Sequence, residues 1–224
     1  ARIKLASILL SNELASEAIG PLEVMQAEDP GFRTDRRVLL LKGMAQALMH
    51  RDEQALSALA IGPLKDDIEA GLWRGLVAAR LGQHARALPE FRRAGDILET
   101  YPDHFQGVIR EQVVRSALAM REFGLAEREL KVFSDLPLDL VSRDRVTLLQ
   151  AMFDETVGKP EAAISTYRAL FEASNRQVAA EAQLRGVTLA LKEKSKTITD
   201  DEAIARLETV SVVWRGDGVE LAAL

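Results

Sequence analysis

No cysteine occurs among the 224 residues. Disulfides, thiolate metal sites and cysteine nucleophiles are thereby excluded. The absence also fits an oxidising compartment such as a bacterial periplasm, with the bacterial cytoplasm as the alternative. Aromatic residues are scarce at 5%, while Ala and Leu dominate, a mixture that favours helices over sheets. A basic surplus is missing too. The 29 Lys and Arg face 34 Asp and Glu, for a net charge of −5, so the counterion-replacing surface that nucleic acid requires is not supplied. The densest basic run, Lys192-Glu193-Lys194-Ser195-Lys196, is short and interrupted by an acid, and reads as a solvated loop. No apolar run approaches the roughly 20 residues of a membrane helix. The opening "ARIKLASILL" is followed by polar Ser11-Asn12-Glu13 and reads as an ordinary helix instead of a signal peptide. A soluble chain without direct membrane insertion is expected. It begins with Ala, not Met, and ends on "GVELAAL", which looks like the opening of another helix. These ends suggest a fragment of a longer bacterial protein.

Chemistry-bearing motifs are equally sparse. His50, His84 and His104 lie far apart and fit no metal-ligand spacing. His50 and His84 fall at turns between helices and read as exposed turn residues. No nucleophile elbow, P-loop or dinucleotide-binding glycine motif is present. The acidic pairs Asp66-Asp67 and Asp200-Asp201 sit at helix starts, where they favour the helix dipole. Arg215-Gly216-Asp217 spells an adhesion tripeptide, but a turn glycine and a capping aspartate account for it. No catalytic residue, cofactor or metal is expected.

What the sequence does carry is helical periodicity. Leu40, Met44, Ala47 and Leu48 share one face, as do Leu148, Leu149, Met152 and Phe153. Breaks recur every 12–20 residues, at Asp29-Pro30-Gly31, Asp52, Gly62-Pro63, Gly82, Pro102-Asp103, Gly124, Pro137, Gly158-Lys159-Pro160 and Thr197 to Asp201. Short helices with short connections pack as antiparallel pairs. Thr199-Asp200-Asp201-Glu202 predicts a capping box, as does Asp217-Gly218-Val219-Glu220. Pro160 fits a first helical position. The pentapeptide "AIGPL" occurs twice, at 18–22 and 60–64. The first copy falls inside a helix that Gly20-Pro21 should kink or delay, as Pro89 should in a later one. The second falls at a helix end, so the literal repeat is read as coincidence.

A quieter pattern recurs. In Gly71 to Ala94, "GLWRGLVAARLGQHARALPEFRRA", Gly75 lies mid-helix and Gly82 ends that helix. Ala87, Phe91 and Ala94 then follow at helical spacing. A mid-helix glycine costs about 1 kcal/mol relative to Ala and is tolerable where a neighbouring helix comes close. Ala55 follows Gly43 by 12 residues, Ala87 follows Gly75 by 12, and Ala163 follows Ala151 by 12, with Gly158 between them and Tyr167 four residues on. The small residues Ala18, Ala55, Ala87, Ala126, Ala163 and Ala203 are separated by 37, 32, 39, 37 and 40 residues. This constellation resembles the tetratricopeptide repeat, a helix-turn-helix unit of about 34 residues. The match is good at 67–100 and 142–172 and degenerate elsewhere. Irregular spacing, missing helix-ending prolines and an internal Pro89 depart from the family.

The resemblance implies an all-α solenoid, a tetratricopeptide-like right-handed superhelix of about five or six antiparallel hairpins. One domain over 1–224 is expected, with hairpins 1–28, 34–63, 67–100, 106–135, 142–172 and 176–213, and a further helix starting at 217–224. Family members bind partners in a concave groove lined by first helices. In this register the groove positions are Arg37, Leu40 and Met44; Leu72, Leu76 and Arg80; Glu111, Val114, Leu118 and Arg121; Arg145, Leu148, Met152 and Glu155; then Gln183 and Val187. Leu, Met and Val stand where carboxylate-gripping members place Lys and Asn, at Leu40/Met44, Leu72/Leu76, Val114/Leu118 and Leu148/Met152, so that clamp is absent. An apolar floor with basic edges suits a protein or peptide segment with hydrophobic anchors and acidic flanks. The expected function is a non-catalytic protein–protein interaction scaffold. Homotypic assembly through exposed solenoid ends, giving a homo-oligomer, is the alternative. An enzyme on an α-solenoid scaffold is a remote third.

Overall fold

The computed structural model describes residues 1–213. It contains thirteen helices and no strand among the described residues. They are α1 (Arg2–Ser11), α2 (Ala15–Glu28), α3 (Arg36–Leu48), α4 (Asp52–Leu59), α5 (Ile68–Arg80), α6 (His84–Arg93), α7 (Gly95–Leu98), α8 (Asp103–Ala119), α9 (Phe123–Asp135), α10 (Leu140–Thr156), α11 (Pro160–Ala169), α12 (Arg176–Glu193) and α13 (Asp200–Val213). Two 3-10 turns, Pro30–Arg33 and Gly62–Leu64, precede α3 and α5. These turns and the one-turn α7 were not expected from the sequence. The expected helix at 217–224, the capping motif at Asp217 and the Arg215-Gly216-Asp217 tripeptide lie outside the described residues.

Helix starts follow local chemistry. The carboxylates of Asp35, Asp67 and Asp139 accept from the amides of Val38 (3.0 Å), Ala70 (2.8 Å) and Ser142 (2.8 Å). Each satisfies one of the amides that a helix start leaves without a partner. Pro160 takes the first position of α11. Thr199 Oγ1 accepts from the Glu202 amide at 3.2 Å, giving half of the expected capping box. The reciprocal half is not made, because Glu202 instead receives the Arg168 guanidinium at 3.3 Å.

The helix ends carry the repeat. Glu13, His50, Gly82, Arg121, Gly158 and Lys194 all have φ between 53° and 82°. The residue after each sends its amide back five positions: Leu14 to Leu9, Arg51 to Gln46, Gln83 to Ala78, Glu122 to Ala117, Lys159 to Asp154 and Ser195 to Ala190, at 2.8–2.9 Å. This left-handed residue with a 6→1 bond is the Schellman ending. Only two of the six positions hold glycine, which alone adopts such φ without a steric cost. Five residues beyond the first five turns sit Ala18, Ala55, Ala87, Ala126 and Ala163, each 0% exposed. In the last pair, Lys194 and Ala203 are nine apart, because residues 195–199 form a longer connection.

The chain divides into two compact units, Ala1–Ser116 and Ala117–Leu224, with the boundary inside α8. In the first unit α1 packs on α2, α3 on α4 and α5 on α6, and α2 and α4 also meet α3 and α5. In the second unit α9 meets α10, α10 packs on α11, α11 on α12 and α12 on α13.

Both internal prolines lie within continuous helices. α2 continues through Pro21 to Glu28, and α6 through Pro89 to Arg93. The carbonyls that lose a partner belong to Glu17 and Ala85, which are exposed, so water can satisfy them. The two "AIGPL" copies take different structures. Ala18 and Leu22 are buried within α2, whereas Ala60 is exposed and Gly62-Pro63-Leu64 forms the 3-10 turn.

Candidate partner-binding surface

The eight apolar positions expected to floor a groove are buried. Leu40, Met44, Leu72, Leu76 and Val114 lie inside the first unit, and Leu118, Leu148 and Met152 inside the second. The reason is long-range in the first unit. First helices α1, α3 and α5 pack successively on one another. His104 Nε2, at the start of α8, also comes within 3.7 Å of Glu13 Oε1 in the α1–α2 turn. Winding this close leaves the apolar first-helix side chains facing each other and not solvent. The expected open floor at these positions is therefore a set of packing contacts.

The four edge arginines divide. Arg37 and Arg121 are exposed, and Arg145 is half-buried. Arg80 is committed to structure: its guanidinium donates to the Ala47 carbonyl at 2.7 Å and bridges to Asp52. It thus ties α5 to the α3–α4 turn. Of the remaining positions, Glu155 accepts from the Tyr167 hydroxyl at 2.6 Å, Gln183 donates to the Phe171 carbonyl at 2.9 Å, Glu111 pairs with Arg115 at 2.9 Å, and Val187 is buried.

The residues expected to pack the repeat lie together in pairs. Gly43 faces Leu59, and Gly75 faces Phe91. A methyl at Gly75 would lie 2.9 Å from the Phe91 ring and 3.4 Å from the Ala87 carbonyl. Ala55, Ala87, Phe91, Ala94, Ala151, Ala163 and Tyr167 are all buried, and Gly82 and Gly158 hold the turns. Sequence reasoning missed Gly186, where a methyl would lie 2.9 Å from Tyr167 Cβ and 3.1 Å from the Phe171 ring. Here the close approach is between successive pairs instead of within one.

An open concavity does exist in the first unit, on the side of the second helices. It is a cleft of about 440 Å³ in the corner where α2, α3 and α4 meet. Ala27, Leu39, Ala58 and Ile61 supply its apolar lining, and Glu23, Gln26, Arg33 and Lys42 its polar one. Ile61 is 49% exposed, and several other large aliphatic side chains, such as Ile8 and Ile68, are exposed as well. Gln26 organises the cations. Its backbone carbonyl accepts from Arg33 Nε at 3.2 Å, and its side-chain oxygen lies 3.4 Å from Lys42 Nζ. Glu23 stands 3.6 Å from the same ammonium. None of these residues was singled out in sequence. Ile61, beside a helix-ending Gly-Pro, was the one available signal.

Titratable groups elsewhere serve the packing. Burial opposes the Asp67 carboxylate, but the Arg36 guanidinium, the Ala70 amide and the Arg36 charge outweigh it and hold its pKa below the ordinary range. Burial raises the Tyr101 hydroxyl, which links Trp73 Nε1 to Glu69 at 2.9 Å each. Burial also raises Tyr167, helped by Glu155. His84 is not the exposed turn residue expected. It opens α6, half-buried, with Nδ1 3.1 Å from Ser116 Oγ, and burial together with the Arg115 charge lowers its pKa. Ser116 is 0% exposed, so this pair offers no accessible nucleophile. Among the described residues no group of His, Asp and Glu is arranged to hold a metal, and no helix is long and apolar enough to cross a membrane.

The chain is similar in structure to PilW, described as a widely conserved type IV pilus biogenesis factor. The TM-score is 0.57, at 17% identity, covering 98% of this chain and 95% of that one. No family model matches the sequence, and no curated protein matches it. Likeness over nearly the full length of both chains, together with the hairpins described above, makes the fold all-α, an α-solenoid of helix pairs.

Proposed function

We propose that the chain is a non-catalytic scaffold for protein–protein contacts, built on a degenerate tetratricopeptide-type solenoid. The observation that carries this reading is the repeated Schellman-ended hairpin, which spends its buried polar groups on holding successive helices together. Arg74 illustrates the point: its guanidinium donates to the Leu59 and Leu64 carbonyls at 2.7 and 2.8 Å and to Glu90 at 3.0 Å. Such a frame offers surface, not a reaction centre. PilW, which shares the fold, is a pilus biogenesis factor, and a role for this chain in an assembly process of that kind is part of the proposal. Partner contact on the first-helix side rests on exposed edge residues such as Arg37 and Arg121, because the floor between them is packed.

The test is co-purification from cells expressing the chain at its native level, after mild chemical crosslinking. One or a few protein partners in fixed stoichiometry are expected. A chain that elutes alone and uncrosslinked at every concentration contradicts the scaffold reading. Light scattering that shows a dimer or larger assembly of the chain by itself would favour homotypic assembly instead.

A further inference from the structure

We infer that the α2–α3–α4 corner cleft is the docking site for a linear segment of a partner protein, one that presents an aliphatic or aromatic side chain next to a carboxylate. This deepens the scaffold reading and rests on it. The cleft volume, about 440 Å³, falls within the range of roughly 300–1,000 Å³ typical of ligand pockets. It is suited to a few side chains, not to a folded domain. Leu39 is buried and forms its base, while Ile61 stands half in solvent at its wall. An apolar side chain seated there would remove Ile61 from water.

The polar groups decide the flanking chemistry. Arg33 is exposed and uses only Nε, toward the Gln26 carbonyl. Among the described residues its two terminal nitrogens have no partner, and this pair is the fork that binds a carboxylate in bidentate fashion. Lys42, which also lines the cleft, has its ammonium 3.4 Å from the Gln26 side-chain oxygen. Glu23 takes up part of the lysine charge, so the rim carries two cations against one anion and favours an acidic partner. Gln26 fixes both cations before any partner arrives, and that pre-organisation lowers the entropic cost of binding. The cleft is open between α2, α3 and α4, and its lining includes none of the buried groove positions, so occupancy requires no opening of the solenoid.

The experiment is a selection of random dodecapeptides displayed on phage against the full chain, followed by synthesis of the enriched peptides. Enriched sequences are expected to place Leu, Ile or Phe within two positions of Asp or Glu. Their affinity should fall by about tenfold or more in Arg33→Glu/Lys42→Glu and in Ile61→Asp, and remain unchanged in Lys131→Glu, an exposed position on α9 outside both the cleft and the groove positions. All substituted side chains are exposed or half-exposed, and circular dichroism verifies that each variant keeps its helicity. No enrichment, enrichment of peptides without acids, or equal binding to all variants overturns the inference. If the variants leave peptide binding unchanged while a native partner still co-purifies, the cleft assignment fails and the scaffold reading survives. If no native partner co-purifies, the scaffold reading fails as well. A dimer in light scattering that Ile61→Asp abolishes would assign the cleft to a second copy of the chain and overturn the inference.

Discussion

The first-helix floor and the second-helix corner of the first unit are made of similar side chains but face different environments. Leu72 and Leu76 are 1% exposed, whereas Ile61 is 49% exposed. Arg80 is clasped to the Ala47 carbonyl and Asp52, whereas Arg33 spends one nitrogen and keeps two for solvent. The difference lies in what each surface already binds. The floor has the neighbouring helices of its own chain as its partner, and the corner is left open beside a short 3-10 turn. Residue type alone therefore does not mark a docking surface in a solenoid. The winding of the helices decides which apolar residues remain available.

The largest expected effect separates the two surfaces. Leu76→Glu places a charge where no solvent reaches, and destabilisation of about 4 kcal/mol or more is expected. Ile61→Glu should stay within about 0.5 kcal/mol of the parent. Urea unfolding followed by far-UV circular dichroism measures both, and equal effects would erase the distinction. Next come the close approaches between helices. Gly75→Val and Gly186→Val crowd the Phe91 ring and Tyr167 Cβ, and each should cost about 1–3 kcal/mol in the same assay. Gly95→Val meets nothing within 4 Å and should be nearly neutral.

Arg74→Met removes the donors to the Leu59 and Leu64 carbonyls, and a loss of about 1.5–3 kcal/mol is expected. A smaller, pH-dependent effect belongs to His84. Its folded pKa lies below the ordinary value of 6.5 because of burial and the Arg115 charge, so the unfolded chain takes up the proton first. Stability from this site therefore falls as pH drops through 6.5 toward the folded pKa, and rises again with pH. Subtracting the His84→Asn unfolding curve from the parent curve between pH 7.5 and 5 should isolate that slope. A difference independent of pH would contradict it. The smallest effect is a gain. Arg121→Gly relieves a non-glycine residue at φ 58° and should stabilise by under about 1 kcal/mol, read as a small rise in melting temperature.

How much of this was legible in sequence depended on range. Gly75, Ala87 and Phe91 lie within one hairpin, so their spacing reported their contact directly. The turns at Gly82 and Gly158 were legible for the same reason, and His50 was read as a turn residue from its place between helices, but the left-handed residues at Glu13 and Arg121 were not found, because those residue types carry no turn signal. That all six turns share one ending became visible only through their backbone φ and the bond to the fifth preceding carbonyl. Burial of Leu72 and Leu76 was beyond the local pattern. It follows from the packing of successive first helices and from approaches such as Glu13 to His104, 91 residues apart. The cleft was equally hidden, because Gln26, Arg33, Lys42 and Ile61 come from four separate segments. Pro21 and Pro89 lie inside continuous helices. Each lies on a face where its unpaired carbonyl meets water, so the helix survives.

The most direct measurement is hydrogen–deuterium exchange on the chain alone and in its crosslinked or co-purified complex, resolved to short peptides. Slowed exchange confined mainly to residues 23–33, 39–42 and 58–61 is the expected result. Protection absent from those segments and concentrated on other helices would contradict docking at the corner.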